Sequence, residues 1–316
     1  MSTALITHPD AADHITPQGH PERVARFEAV TTALAAPEFD ALVRYEAPMA
    51  DESEVLRCHP ADYVERIRKA VPVAGAYQLD ADTHMSPGSW RAVMRGVGGA
   101  CRAVDLVLAD EAQNAFVAMR PPGHHAETST PMGFCVFGNP AIAAKRALDH
   151  HGLSRVAVVD FDVHHGNGTQ DLLWNEGRAL FVSSHQMPLF PGTGAAGERG
   201  AHDNILNLPL EPGCRGDAFR AAWETKAFPR LRSFAPELII ISAGFDAHRD
   251  DPLANLALVE EDFAWITGAL CDIAAECCDG RVVSLLEGGY DLDALAASAR
   301  AHVLMLMDKA DKAGAE

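Results

Sequence analysis

The chain has no apolar run approaching the roughly 18 residues that a membrane-crossing helix needs. Its N-terminus, MSTALITHPDAADHITPQGH, lacks both the basic start and the continuous apolar stretch of a secretory signal, so a cytoplasmic protein with no membrane partner is expected. No CxxC spacing occurs among the seven cysteines, and Cys101 and the Cys271, Cys277, Cys278 group sit in apolar or helical stretches. This speaks against a disulfide framework and for reduced core thiols. Basic residues are scarce: 26 Lys and Arg face 44 Asp and Glu, a formal charge of -18. Such a field repels phosphate backbones, so no direct nucleic-acid binding is expected, while cationic substrates are modestly favoured. Repeats and low-complexity linkers are also missing, and a single domain over residues 1–316 is the economical reading.

What the chain does have is a 48% hydrophobic composition and short apolar runs in a definite order. Val156 to Phe161, Leu238 to Ile241 and Val282 to Leu286 are too short for free-standing helices and rich in β-branched residues. They read as buried strands of a parallel sheet. Segments with helical spacing, Asn139 to Asp149, Gly216 to Phe234 and Val259 to Cys278, lie between them, and that alternation implies βαβ units. In an open α/β sheet the ligand site lies beyond the carboxyl ends of the strands. Here those ends read DFDVHHGNG, SAGFDAHRDD and LEGGYDL, and a fourth candidate, Ala115 to Met119, runs into RPPGHHAE.

On an extended chain Asp160, Asp162 and His164 would share one face, and such a buried group needs a cation. A catalytic zinc takes three protein ligands and leaves a position open; Asp162 and His164 supply two, and Asp246 is the best third because it follows another strand end. The plainer alternative is a set of polar loop residues or helix caps. Of the histidine pairs, His150-His151 closes a helical run before Gly152 and suits the negative end of a helix. His124-His125 lies in a Pro- and Gly-bounded loop, where one imidazole can act as general base. Tyr290, one of only four tyrosines, follows Gly288-Gly289 and could hold an oxyanion together with a metal.

RPPGHHA, GFCVFGN, DFDVHHGNGTQ, FPGTG, SAGFDAHRDDPL and LEGGYDL, in that order and spanning about residues 17 to 300, resemble the histone deacetylase family, in particular its class II-like and bacterial amidohydrolase branch, related to acetylpolyamine amidohydrolases. The resemblance implies the arginase/deacetylase fold: one α/β domain with an eight-stranded parallel sheet flanked by helices, and a substrate tunnel leading to one zinc ion. It implies Asp162, His164 and Asp246 as zinc ligands, His125 as general base and Tyr290 as the group polarising the acyl carbonyl. It further implies that Asp160 bonds His124 and that Asn167 orients His125. Structural potassium is implied at Asp160, Asp162, His164, Ser183 and Ser184, with a second site around Leu173, Glu176, Ala179 and Asn204. Gly133, Phe134 and Phe190 would wall the tunnel, Leu253 would sit near its rim, and Asp82 would hold the substrate backbone. Arg26, in HPERVAR, would lie toward an internal channel. Gly138 and Pro140 depart from the family pattern, in which Asn is common at the first position.

The implied activity is zinc-dependent removal of acyl groups from the side-chain amine of acylated lysine. Alternatives are an amidohydrolase of acetylpolyamines or other small acyl amines, a catalytically weak acyl-lysine binding module, and a ureohydrolase with two manganese ions, for which the chain lacks a second ligand set. Partners are then an acylated peptide or polyamine, with a homo-oligomer possible.

Overall fold

The computed structural model describes residues 2–313. Eight strands form one sheet: β1 (Thr3–Thr7), β2 (Val43–Glu46), β3 (Asn114–Val117), β4 (Val156–Asp160), β5 (Ala179–Gln186), β6 (Ile205–Leu210), β7 (Leu238–Ala243) and β8 (Val282–Leu286). Their order is β2-β1-β3-β8-β7-β4-β5-β6, and every pairing is parallel. The principal covering helices are α1 (Val24–Ala33), α2 (Ser89–Leu108), α3 (Asn139–Asp149), α4 (Asn167–Leu173), α5 (Glu260–Cys278) and α6 (Leu292–Ala313). No helix among the described residues is long and apolar enough to cross a membrane.

Central strands carry continuous apolar runs because both faces are covered, and alternate residues enter different cores. Leu238 and Ile240 of β7 pack with Val156 and Val158 of β4 on the side of α2 and α3. Ile239 and Ile241 pack with Ala157 and Val159 on the side of α5 and α6. Each such side chain contributes about 1.5–3 kcal/mol by leaving water. One helical expectation needs correction. Gly216 to Phe234 is interrupted by a wide π turn at Trp223–Ala227 before helix resumes at Phe228–Phe234. Pro229 lacks the N–H that a regular helix would use there, and the wider turn absorbs the mismatch.

The four middle strands, β3, β8, β7 and β4, are those whose carboxyl ends lead to His124-His125, Tyr290, Asp246 and Asp162. Neighbouring positions in the sheet therefore bring together residues as far apart in sequence as His124 and Tyr290. The N-terminal arm is tied to this edge by a buried ionic cluster. Arg120 donates to both oxygens of Glu22 at 2.7 and 2.6 Å and to the carbonyls of Ala11 and His14. Arg26 reaches Glu22 at 3.2 Å and the carbonyls of Glu287 and Gly289 at 2.5 Å each.

Burial alone would raise the Glu22 carboxyl, but Arg120 outweighs it and holds it down at about 2. Its stabilising charge is then fully present above the ordinary pKa of 4.5 and is lost as pH falls through about 2. Glu22→Gln leaves two buried guanidinium groups without their counter-charge, and the expected loss is about 3–5 kcal/mol of unfolding free energy. Urea denaturation at neutral pH reads this as a lower midpoint. A midpoint equal to the parent's would show that the cluster does not anchor the arm.

Candidate active site

β4 ends at Asp160, and the chain beyond it is not extended. Asp160 Oδ1 accepts from the N–H of Asp162 at 3.0 Å, and Asp162 Oδ1 accepts from the N–H of His164 at 2.9 Å. Two successive carboxylate-backbone turns therefore replace the single extended face expected for Asp160, Asp162 and His164. Their consequence is a division of labour: Asp160 faces His124, with Oδ2 2.9 Å from Nδ1, while Asp162 and His164 face Asp246.

Asp162, His164 and Asp246 offer ligand atoms all within 4.8 Å of one another and are buried; among the described residues no other group of His, Cys, Asp and Glu does so. His164 Nδ1 lies 3.2 Å from Asp162 Oδ1 and 3.2 Å from Asp246 Oδ2. Burial would lower the imidazole pKa, but the two carboxylates outweigh it and raise it to about 10. Without a metal, a proton thus neutralises what a divalent cation would neutralise better, and the donor set fits zinc in number and kind. The backbone closes around it. Val163 N–H donates to Asp246 Oδ1 and Gly288 N–H to Asp162 Oδ2, each at 2.9 Å, and a Cβ at Gly288 would collide with both carboxylates.

His125 Nδ1 lies 2.7 Å from Asn167 Oδ1, and its ring meets that of His124 at 4.0 Å between centroids. The two imidazoles are driven apart electrically. Burial, then the neighbouring His124 and His164, holds His125 well below its ordinary range. Burial acts the same way on His124, but Asp162 and Asp160 overcome it and raise His124 well above that range. Tyr290 is kept as a neutral phenol, chiefly by burial and then by Asp246. Its ring lies 5.7 Å from Phe134 and under the Arg26 guanidinium at 4.9 Å.

A cavity of about 250 Å³ brings together Asp82, His125, Gly133, Phe134, His164, Phe190, Leu253 and Tyr290. Two larger surface hollows, of about 660 and 670 Å³, contain none of these residues. Asp82 accepts from the N–H of Gly133 at 3.1 Å and from the hydroxyl of Thr83, so it braces the wall it lines. Leu189 completes the lining and was missed in the sequence, where a loop has no periodicity to reveal it. Ser183 and Ser184 lie buried on β5; Ser183 Oγ is 3.0 Å from His185 Nδ1, and Ser184 Oγ accepts from Trp223. Asn204 Nδ2 bonds the carbonyls of Leu173 and Glu176, which gathers three of the residues named for a second cation. His151 pairs with Asp105 at 2.8 Å, away from the cavity, in keeping with a structural role for the His150-His151 pair.

Glu287 and Asp251 stand inside quoted motifs, yet their parts are visible only in three dimensions. Glu287 Oε2 accepts from the N–H groups of Gly123 and His124 at 2.7 and 3.2 Å, fixing the loop that carries the paired histidines. Asp251 accepts from the N–H of Tyr290 at 2.7 Å and of Leu253 at 3.0 Å. Gly138 and Pro140 also find a local reason. A Cβ at Gly138 would strike Leu172, its N–H donates to His59 at 2.9 Å, and Pro140 sits in the first turn of α3, where no helical donor is needed.

A histone deacetylase domain profile matches residues 20–306. The chain belongs to the histone deacetylase family. It is 42% identical over 299 residues to an uncharacterized protein of Synechocystis sp., covering 93% of this chain and 96% of that protein. To the histone deacetylase-like amidohydrolase of Pseudomonas aeruginosa it is 43% identical over 248 residues, 77% of this chain and 65% of the relative. The crystal structure of the HDA15 HD domain matches with a TM-score of 0.92 at 31% identity, over 98% of this chain and 89% of that one. The protein is thus a histone deacetylase-family amidohydrolase, and the family's eight-stranded fold is the one described above.

Proposed function

We propose that this histone deacetylase-family protein is a zinc-dependent deacylase that frees the side-chain amine of acylated lysine in peptides or proteins. The observation that carries the reading is the buried Asp162, His164 and Asp246 set at a cavity that His125 and Tyr290 also line. Zinc held there supplies Lewis acidity toward a carbonyl and acidifies water.

The remaining chemistry belongs to side chains. His125, neutral and with Nδ1 engaged by Asn167, offers Nε2 to take the proton from attacking water. The neutral phenol of Tyr290 donates a hydrogen bond to the acyl oxygen as negative charge develops on it. The amide C–N bond then breaks, and the proton held by the histidine pair passes to the leaving amine. Asp160 keeps His124 oriented beside them. Phe134 and Phe190 suit a slender methylene chain, and Asp82, in the same lining, would receive a backbone N–H of a peptide. Potassium is proposed for the oxygen-rich position around Asp160, Ser183 and Ser184.

Leu253 favours lysine over polyamine, because leucine at that position of the lining offers no counter-charge to a distal ammonium. The test is turnover of matched acetyl-lysine peptides and acetylated polyamines by zinc-loaded protein, with His125→Ala as control. Peptide turnover abolished in the control supports the reading. A higher kcat/KM on free polyamines would reassign the substrate to small acyl amines, and silence on both would leave a binding role.

A further inference from the structure

Asn167 has a second neighbour that the reaction scheme above does not use. While Oδ1 faces His125 Nδ1 at 2.7 Å, Nδ2 donates to Glu127 Oε1 at 2.8 Å and lies 3.2 Å from Met132 Sδ. The three polar groups form one chain from a half-buried carboxylate to the imidazole that faces the cavity.

The direction of this chain follows from valence alone. A carboxylate only accepts, so the end of the amide toward Glu127 must be the NH2 group. Oδ1 is therefore left for His125, and because it too only accepts, His125 Nδ1 must carry the hydrogen. A neutral imidazole with its proton on Nδ1 has its lone pair on Nε2. With the amide flipped, its oxygen would meet the Glu127 carboxylate, and His125 would carry its proton on Nε2, where it could accept nothing. The thioether of Met132, a weak acceptor, agrees with the same orientation.

Glu127 is itself held by its surroundings. Its N–H donates to the carbonyl of Thr130 at 3.0 Å, and the next residue, Thr128, donates from N–H and hydroxyl to Asp171 Oδ2 at 2.8 and 2.6 Å. Asn167 and Asp171 are four apart on α4 and so lie on one face, which grips the histidine loop at two points.

We propose that Glu127 is a positioning residue for the reaction, acting through Asn167 to hold His125 as the tautomer that is basic at Nε2. This rests on the reading of His125 as general base. Glu127→Leu removes the acceptor, whereas Glu127→Gln keeps an oxygen that Asn167 Nδ2 can still reach. In zinc-loaded protein Glu127→Leu should lower kcat about 10- to 100-fold at unchanged KM and unchanged zinc content. Glu127→Gln should stay within about threefold of the parent, since only charge is lost.

Imidazole nitrogen NMR, with the His125 signals assigned by their loss in His125→Ala, gives a readout independent of turnover. The parent should show the hydrogen on Nδ1, and the Leu variant should show it shared with or moved to Nε2. Parental kcat in Glu127→Leu, equal losses in the Leu and Gln variants, or an unchanged tautomer in the Leu variant would overturn the inference. Undiminished turnover in His125→Ala would instead overturn the assignment of the base.

Discussion

Tyr290→Phe is expected to fold, bind zinc as the parent does, and lose about two to four powers of ten in turnover. The substitution removes one oxygen and leaves the ring, so the edge contact with Phe134 and the cation-π contact with Arg26 survive. The backbone N–H of residue 290 keeps its bond to Asp251. What disappears is a donor held neutral by burial and by the field of Asp246, and so ready to donate at any pH where the enzyme works. The stabilisation it gives should grow as charge gathers on the acyl oxygen, so the loss should fall on kcat more than on KM. Steady-state kinetics on an acetyl-lysine peptide, with bound zinc measured in parallel, separates the two. Near-parental kcat at full zinc loading would remove Tyr290 from the reaction.

How much of this was visible beforehand depends on the kind of signal each residue leaves in a sequence. β4, β7 and β8 were legible because strands buried on both faces need uninterrupted apolar runs, and β8 has the limits expected of Val282 to Leu286. Asp162, His164, Asp246, His125 and Tyr290 were legible because polar residues directly after such runs fall at the carboxyl edge of the sheet. Gly133, Phe134, Phe190 and Leu253 came only through the family resemblance, since loop residues carry no period. They do meet in one cavity.

The buried ion pair that ties down the N-terminal arm leaves no such signal. Glu22 and Arg120 are 98 positions apart, and neither neighbourhood hints at the other. The local geometry after Asp160 is not legible either, because an alternating polar pattern looks the same whether the chain stays extended or makes repeated carboxylate turns. Only the latter sends Asp160 to His124 and turns Asp162 toward His164. Glu127 is likewise hidden: it bonds the far end of an amide, and the family resemblance speaks only for the near end.

Stripping zinc from the protein should abolish turnover and lower the thermal midpoint, and one equivalent of zinc per chain should restore both. Metal-free, Asp162, His164 and Asp246 bury two carboxylates against one imidazole, with Asp162 drawn far below its ordinary pKa by His124 and His164 despite the opposing effect of burial. A divalent ion relieves that confinement, and at a free concentration about a thousand times Kd it stabilises the fold by about 4 kcal/mol. Asp246→Asn should remove most of this gain. It replaces one charged ligand by an amide, and Nδ2 or Oδ1, whichever turns toward His164, cannot supply the lost charge. Because a ligating imidazole must be unprotonated, zinc affinity should weaken as pH falls. Calorimetric titration of the apoprotein, with metal analysis of the product, reads stoichiometry and pH dependence together. Two manganese ions per active chain would replace the deacylase reading with that of a two-metal hydrolase, whereas a single site lost in Asp246→Asn ties the ion to the residues at the ends of β4 and β7.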